Sequence, residues 1–258
     1  MSVIFAIITQ KGGVGKTTAV NALAASFRQL GKKVLCIDMD PQGNLSFSTG
    51  AENEESLTIF DALLGNARVT SCIQKKEFTD IIPSNILLTG AELEFTGKNR
   101  EYVLSNVLGV VEEEYDYIII DSPPGLGFLT INALSACNYV IIPMLADIFS
   151  LQGLVQVYET IEFVKKATNP QLEIMGIIIN KYNRFSKLNR EALGAATMVS
   201  ENFKVPLFKT KVRKCEKLAE AQSLQLNIFD YCPRSGGTKD YMKIAREIME
   251  KLNSDEEV

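Results

Sequence analysis

Histidine is absent from the 258-residue chain. Without imidazole no Ser-His-Asp or Cys-His arrangement can be assembled, and histidine ligation of a metal is excluded. Any group that handles a proton must be Asp, Glu, Lys, Tyr or Cys. Cysteine is scarce: Cys36, Cys72, Cys137, Cys215 and Cys232 are scattered, with no C-x-x-C pair. That spacing argues against a zinc or iron–sulfur centre and for the reduced thiols of a cytosolic protein. No apolar run approaches the roughly 18 residues that span a bilayer. The N-terminus enters a strand-like segment with no basic-then-apolar leader. Positive charge is not in excess, the formal net charge being −4. Contact with nucleic acid would therefore need local basic patches.

What is present suits one large α/β domain: 46% of residues are apolar and 22% charged, and single cores rarely grow beyond about 250–300 residues. Near-continuous apolar runs at 3–8, 34–37, 117–120, 139–142 and 174–179 predict strands buried on both faces. Between them, helical periodicity predicts helices over 16–30, 101–113, 151–167, 187–202 and 238–252. In 151–167 the recurrence of Leu151, Leu154, Val155, Tyr158, Ile161 and Val164 marks a core-facing stripe. The alternation predicts a mostly parallel twisted sheet with helices on both faces. Residues 50–75 are the most irregular part, read as loop and short helix on the surface. A single domain over 1–252 and a frayed acidic end at 253–258 complete the expected organisation.

The densest signal is QKGGVGKTT, Gln10 to Thr18, between the first strand and the first helix. Strand, glycine-rich turn and helix are the context of a phosphate loop. Gly12, Gly13 and Gly15 let backbone N–H groups, including that of Val14, converge on phosphate oxygens without Cβ obstruction. The N-terminus of the helix, where Thr18 stands, adds its dipole, and Lys16 adds a point charge for the β- and γ-phosphates. Thr17 supplies a hydroxyl suited to Mg²⁺. The loop departs from G-x-x-x-x-G-K-[ST] at its first position, where Gln10 stands beside a second lysine, Lys11. Carboxylates gather at other strand ends: Asp38 and Asp40 in DMDPQGN, and Asp121 in DSPPG. Strand C-termini meet in the crevice where such sheets bind ligands, and an apolar strand ending in Asp has the form of an acid that holds the Mg²⁺ shell.

KGGVGKTT, DMDPQGN and DSPPG together resemble the deviant Walker-A ATPases and, within them, the ParA/Soj partition proteins. The similarity extends through IPSNILLTGAELEF, TINAL, FSLQGL and CPRSGGTKDY. The resemblance implies a P-loop NTPase fold, ATP and Mg²⁺ as ligands, and slow ATP hydrolysis stimulated by a ParB-like adaptor. It implies that Lys11 reaches across a sandwich homodimer to the partner's ATP, as an arginine finger does. Asp40 would position the attacking water, Asp38 would stand near the Mg²⁺ site, and Asn180 would contact adenine. The output would be partition of a plasmid, mobile element or chromosome by a cytoplasmic protein that joins the nucleoid when ATP-bound. A membrane-positioning ATPase of the MinD type is the alternative, through the amphipathic segment 238–252. The acidic residues after that segment oppose anionic lipid, so no stable membrane association is expected.

In such a dimer nonspecific DNA would be met by basic residues. Candidates are Lys181, Arg184, Lys187 and Arg190, then Lys209, Lys211, Arg213, Lys214 and Lys217, two runs with no acidic residue before Glu216. The relatives carry a proline where Arg213 stands.

Overall fold

The computed structural model describes residues 2–256. Seven strands form one sheet: β1 (Val3–Ile7), β2 (Val34–Asp38), β3 (Gln74–Lys75), β4 (Asp80–Ile82), β5 (Tyr117–Asp121), β6 (Tyr139–Leu145) and β7 (Glu173–Asn180). Their spatial order is β3-β4-β2-β5-β1-β6-β7, and every pairing is parallel except the β3–β4 edge.

Each central strand divides its side chains between two cores, as the two-residue period of a strand requires. From β1 and β2, Ile4, Ala6, Leu35 and Ile37 point to one face, and Phe5, Ile7, Val34 and Cys36 to the other. The first core is closed by α5 (Val103–Leu108), α6 (Phe128–Ala136), α7 (Ile148–Ala167) and α8 (Lys187–Phe203), through residues such as Leu104, Leu134, Ile161 and Ala196. The second is closed by α1 (Lys16–Gln29) and α11 (Gly236–Glu256), with Phe27, Tyr241, Ile244 and Ile248 buried. The apolar face of the C-terminal helix is thus turned into the protein. Among the described residues no helix is long and apolar enough to cross a membrane.

Several expectations are corrected. Only 103–108 of the expected helix 101–113 is α-helical; a 3-10 turn precedes it, and Gly109 follows its end. The expected frayed end is helical through Glu256, and residues 257–258 lie outside the described residues. The irregular stretch contains α3 (Ile59–Leu64), whose Ile59, Ala62 and Leu63 join the first core. Sequence reading also missed α6, α2 (Asn44–Ser48), α4 (Ala91–Glu94), α9 (Glu216–Ser223) and α10 (Ile228–Tyr231). All five cysteines are free thiols.

The topology positions the site. β1 lies between β5 and β6, so the loop leaving β1 opens where the chain's connections diverge to the two sides of the sheet. Asp38 and Asp121 end adjacent strands and lie in direct register. The crevice above those strand ends is where a doubly wound sheet takes its ligand.

Candidate functional site

The loop from Lys11 to Thr18 forms one wall of a cleft of about 730 Å³. Asp40, Gln42, Asn44, Asn180, Lys181, Tyr241 and the segment Val212–Glu216 also line it. Gly15 caps α1 with φ +91°, in the left-handed region, and an added Cβ would stand 3.1 Å from Asn180 Nδ2. Glycine is required there twice over, by conformation and by space. The result is a helix N-terminus whose free amides face the cleft.

Four side chains close on one another at its floor. Lys16 Nζ lies 2.7 Å from Asp121 Oδ1 and 4.0 Å from Asp40 Oδ2. The Thr17 hydroxyl donates to Asp121 Oδ2 at 2.7 Å. Lys16 is nearly buried and Asp121 wholly so. Burial pushes the Asp121 carboxyl up, and Lys16 draws it back toward the ionised form. The Thr17–Asp121 pair gives hard oxygen donors, which suit Mg²⁺. Among the described residues no group of three or more His, Cys, Asp or Glu could hold a metal by itself.

Asp38 stands beside Asp121 at the end of the adjacent strand, and its carboxylate is engaged within the protein. Its Oδ2 accepts from the Ser46 amide and hydroxyl, both at 2.8 Å, and its Oδ1 accepts from the Asp40 amide at 3.1 Å. Fully buried, it orients Asp40 and the start of α2 and does not line the cleft. Asp40 in turn accepts from the Gln42 amide at 3.0 Å, keeping one carboxylate oxygen on the Lys16 side. Burial, reinforced by the neighbouring Asp121 charge, pushes Asp38 up to about 7. A carboxyl whose folded pKa lies above its unfolded value holds its proton longer in the folded state, so stability falls as pH rises from about 4 to about 7. Asp121 is raised too and acts in the same direction. Urea unfolding followed from pH 4.5 to 8 should show this decline, and Asp38→Asn should flatten it. An equally steep decline in the variant would refute the assignment.

Lys11 stands apart from the floor. Its Nζ lies 2.9 and 3.2 Å from the two carboxylate oxygens of Asp147, and 5.7 Å from the ring centroid of the exposed Phe149. Asp147 is the N-cap of α7, its Oδ1 also accepting from the Ser150 amide at 2.8 Å. Burial opposes ionisation of Asp147, but the bonds from Lys11 and the Ser150 amide outweigh it and hold the carboxyl below its ordinary value. Both partners remain partly exposed.

The expected base-contacting residue, Asn180, ends β7 and is buried. Its Nδ2 donates to the Val14 carbonyl at 2.9 Å, so it braces the loop as well as lining the cleft. Thr18 donates to Gln222 Oε1 of α9 at 2.9 Å. Sequence reading missed Asp147, Gln222 and Tyr241 at the site. Only Asp147 carried a local signal, an acid three residues before Ser150 at a helix start.

The basic candidates separate. Lys181, with φ +52°, donates to the Gly13 carbonyl at 2.9 Å and belongs to the cleft. Arg213 makes a two-pronged pair with Asp240, 2.8 Å in each bond, which neutralises its charge locally. Lys187 lies 3.7 Å from Glu191, and Lys214 3.0 Å from Glu216. Arg190 donates to the Arg184 carbonyl at 2.9 Å, while the Arg184 guanidinium lies 4.7 Å from the Phe185 ring centroid. Lys187, Arg190, Lys214 and Lys217 are exposed on the first turns of α8 and α9 or just before them.

Comparison with known proteins adds to this geometry. Residues 1–174 match the family model described as an AAA domain. The chain is 38% identical over 252 residues to the sporulation initiation inhibitor protein Soj of Bacillus subtilis, covering 96% of this chain and 98% of that one. It is also 38% identical over 245 residues to the chromosome-partitioning ATPase Soj of Treponema pallidum, covering 94% and 95%. Among solved structures it resembles cobyrinic acid a,c-diamide synthase from Mycobacterium smegmatis with bound ATP analogue and magnesium. The TM-score there is 0.88 at 29% identity, over 99% of this chain and 97% of that one.

Proposed function

The chain belongs to the Soj and ParA family of chromosome-partitioning ATPases, and we propose that it is a DNA-partition switch that closes as a dimer around ATP. The observation that carries this reading is the separation of the two loop lysines. Lys16 is committed to Asp121 on the floor of its own cleft, whereas Lys11 is held at the rim by Asp147. A lysine placed at the rim is suited to exchange its carboxylate for the triphosphate of a second subunit.

In this reading Lys16 and the amides from Gly12 to Thr18 hold the phosphates, and Thr17 with Asp121 would hold Mg²⁺. The ion supplies charge neutralisation of the β- and γ-phosphates. Asp40, oriented by Asp38, positions water for attack, and Asn180 meets the base. Lys11 gives its charge in trans. The dimer would set the exposed basic ends of α8 and α9 from two subunits side by side, with Arg184, Lys187, Arg190, Lys214 and Lys217 meeting DNA phosphates. A ParB-class adaptor would accelerate hydrolysis and release the DNA, placing the ATP form on the nucleoid. The MinD-like alternative is disfavoured because the apolar face of α11 is buried in the second core.

Sedimentation with plasmid DNA tests the reading. The protein should pellet with DNA in ATP and not in ADP. If about five phosphate contacts are made per bound unit, a fourfold rise in salt should weaken binding by roughly 10²–10³-fold. ATP-independent pelleting, or binding indifferent to salt, would reject it.

A further inference from the structure

The C-terminal helix reaches two walls of the cleft, through Asn180 and through Arg213. Asp240 and Tyr241 are consecutive in α11 and only 2% and 1% exposed. The Tyr241 hydroxyl donates to Asn180 Oδ1 at 3.2 Å, and Asn180 Nδ2 donates to the Val14 carbonyl at 2.9 Å. A carbonyl can only accept, so the amide must turn its nitrogen to Val14 and its oxygen to Tyr241, which must then be the donor. One amide proton and one oxygen lone pair are left over. On the other wall Asp240 accepts three bonds from Arg213: from the backbone amide at 3.1 Å, from Nε at 2.8 Å and from Nη2 at 2.8 Å. The aliphatic part of Arg213 lies over Gly236, where an added Cβ would stand 2.3 Å from Arg213 Cδ. Arg213 follows Val212, whose amide donates to the Ile179 carbonyl at 2.9 Å, and both line the cleft.

We propose that Asp240 and Tyr241 are positioning residues that set the nucleotide-base end of the cleft. Tyr241 fixes which way the Asn180 amide faces, and Asp240 pins the wall from Val212 to Cys215. This rests on the reading of the cleft as an ATP site. A buried amide with a fixed orientation presents its spare donor and acceptor in one order only. Adenine and guanine present opposite orders at their six-position edge, an amino donor in one and a carbonyl acceptor in the other. The helix thus acts on base choice without touching the nucleotide phosphates, and Arg213, first suggested by its charge as a DNA contact, serves the cleft wall instead.

The test is to measure Kd for ATP, GTP and inorganic tripolyphosphate on the full chain and on Tyr241→Phe, with a thermal melt of each. Losing one hydrogen bond that orders the base site should weaken ATP about 3–10-fold. Tripolyphosphate should stay within about twofold, and the preference for ATP over GTP should shrink. Asp240→Asn, which keeps an acceptor for the Arg213 amide but removes the ionic partner of its guanidinium, should show the same pattern and covers the case of a poorly folded Tyr241→Phe. Parallel loss for ATP and tripolyphosphate, or no change in the ATP-to-GTP ratio, would overturn the proposal. Wild-type protein that binds tripolyphosphate but discriminates no base would overturn the base site itself.

Discussion

Lys16→Ala should weaken ATP binding by roughly 30- to 5,000-fold, because a truncated partner of a buried charge pair costs roughly 2–5 kcal/mol. Lys16 is the first residue of α1 and serves two carboxylates, whereas Lys11 is held by Asp147 and Lys181 by the Gly13 carbonyl. Its removal also leaves Asp121 wholly buried beside only the Thr17 hydroxyl. Stranding a buried carboxylate costs about 3–5 kcal/mol if it stays ionised. The carboxyl can escape that cost by taking up a proton, since burial already pushes it upward. The variant should therefore be least stable at alkaline pH and regain stability toward wild type as pH falls. Calorimetric ATP titration and urea unfolding at pH 6 and 8 check both effects. Retained ATP affinity would dismiss Lys16 as the phosphate-holding residue, and a pH-independent stability loss would dismiss the buried-pair account.

That floor was legible in advance because its parts are short-range and chemically unusual. Glycines followed by Lys-Thr, directly after an apolar strand, leave few conformations open, and Asp121 closes a run of isoleucines. The five long strands were legible for a related reason: burial on both faces removes polar residues and leaves unbroken runs. What escaped lies below the length over which periodicity can be read. β3 has two residues and β4 three. The helix α6 is apolar around most of its circumference, so it carries no stripe to detect. The missed start of α7 had a local sign, the Asp147 cap, which helical spacing alone overlooked.

Function at a distance was harder to see. Arg213 and Lys181 sit in basic runs and look alike by charge, yet one is clamped by Asp240 and the other bonds the Gly13 carbonyl. Asp240 is 27 residues from Arg213, and Lys181 is 168 from Gly13. No reading of local composition pairs residues so far apart; the parallel crossovers do. The same holds for Asp38. The resemblance places it near the Mg²⁺ site, but nothing local in the sequence shows that Ser46, in the first turn of α2, bonds its carboxylate.

Lys11→Ala should leave ATP affinity of the monomer within about threefold while removing ATP-induced dimerisation and lowering partner-stimulated turnover by roughly 10³-fold, the scale of a cation supplied in trans. The two lysines differ in what holds them. The Lys11–Asp147 pair is partly exposed, 36% and 27% for the two side chains, whereas Lys16 and Asp121 are at 8% and 0%. An exposed pair is worth about 1 kcal/mol or less, so a triphosphate with its larger negative charge can take Lys11 from Asp147. On the proposed dimer reading, the pair would act as a weak latch that favours the monomer. Asp147→Asn removes the charge but keeps a side-chain acceptor for the Ser150 amide, because asparagine caps helices about as well as aspartate. It should therefore shift dimerisation in the opposite direction, by up to about fivefold for each subunit and so raising the dimer association constant at fixed ATP by up to about 25-fold. In the double variant the Asp147→Asn gain should vanish, since there is no lysine left to release. Sedimentation velocity in ATP across the four proteins measures this cycle. A dimer that forms equally well without Lys11, or an Asp147→Asn gain that persists in its absence, would leave the intersubunit role of Lys11 without support.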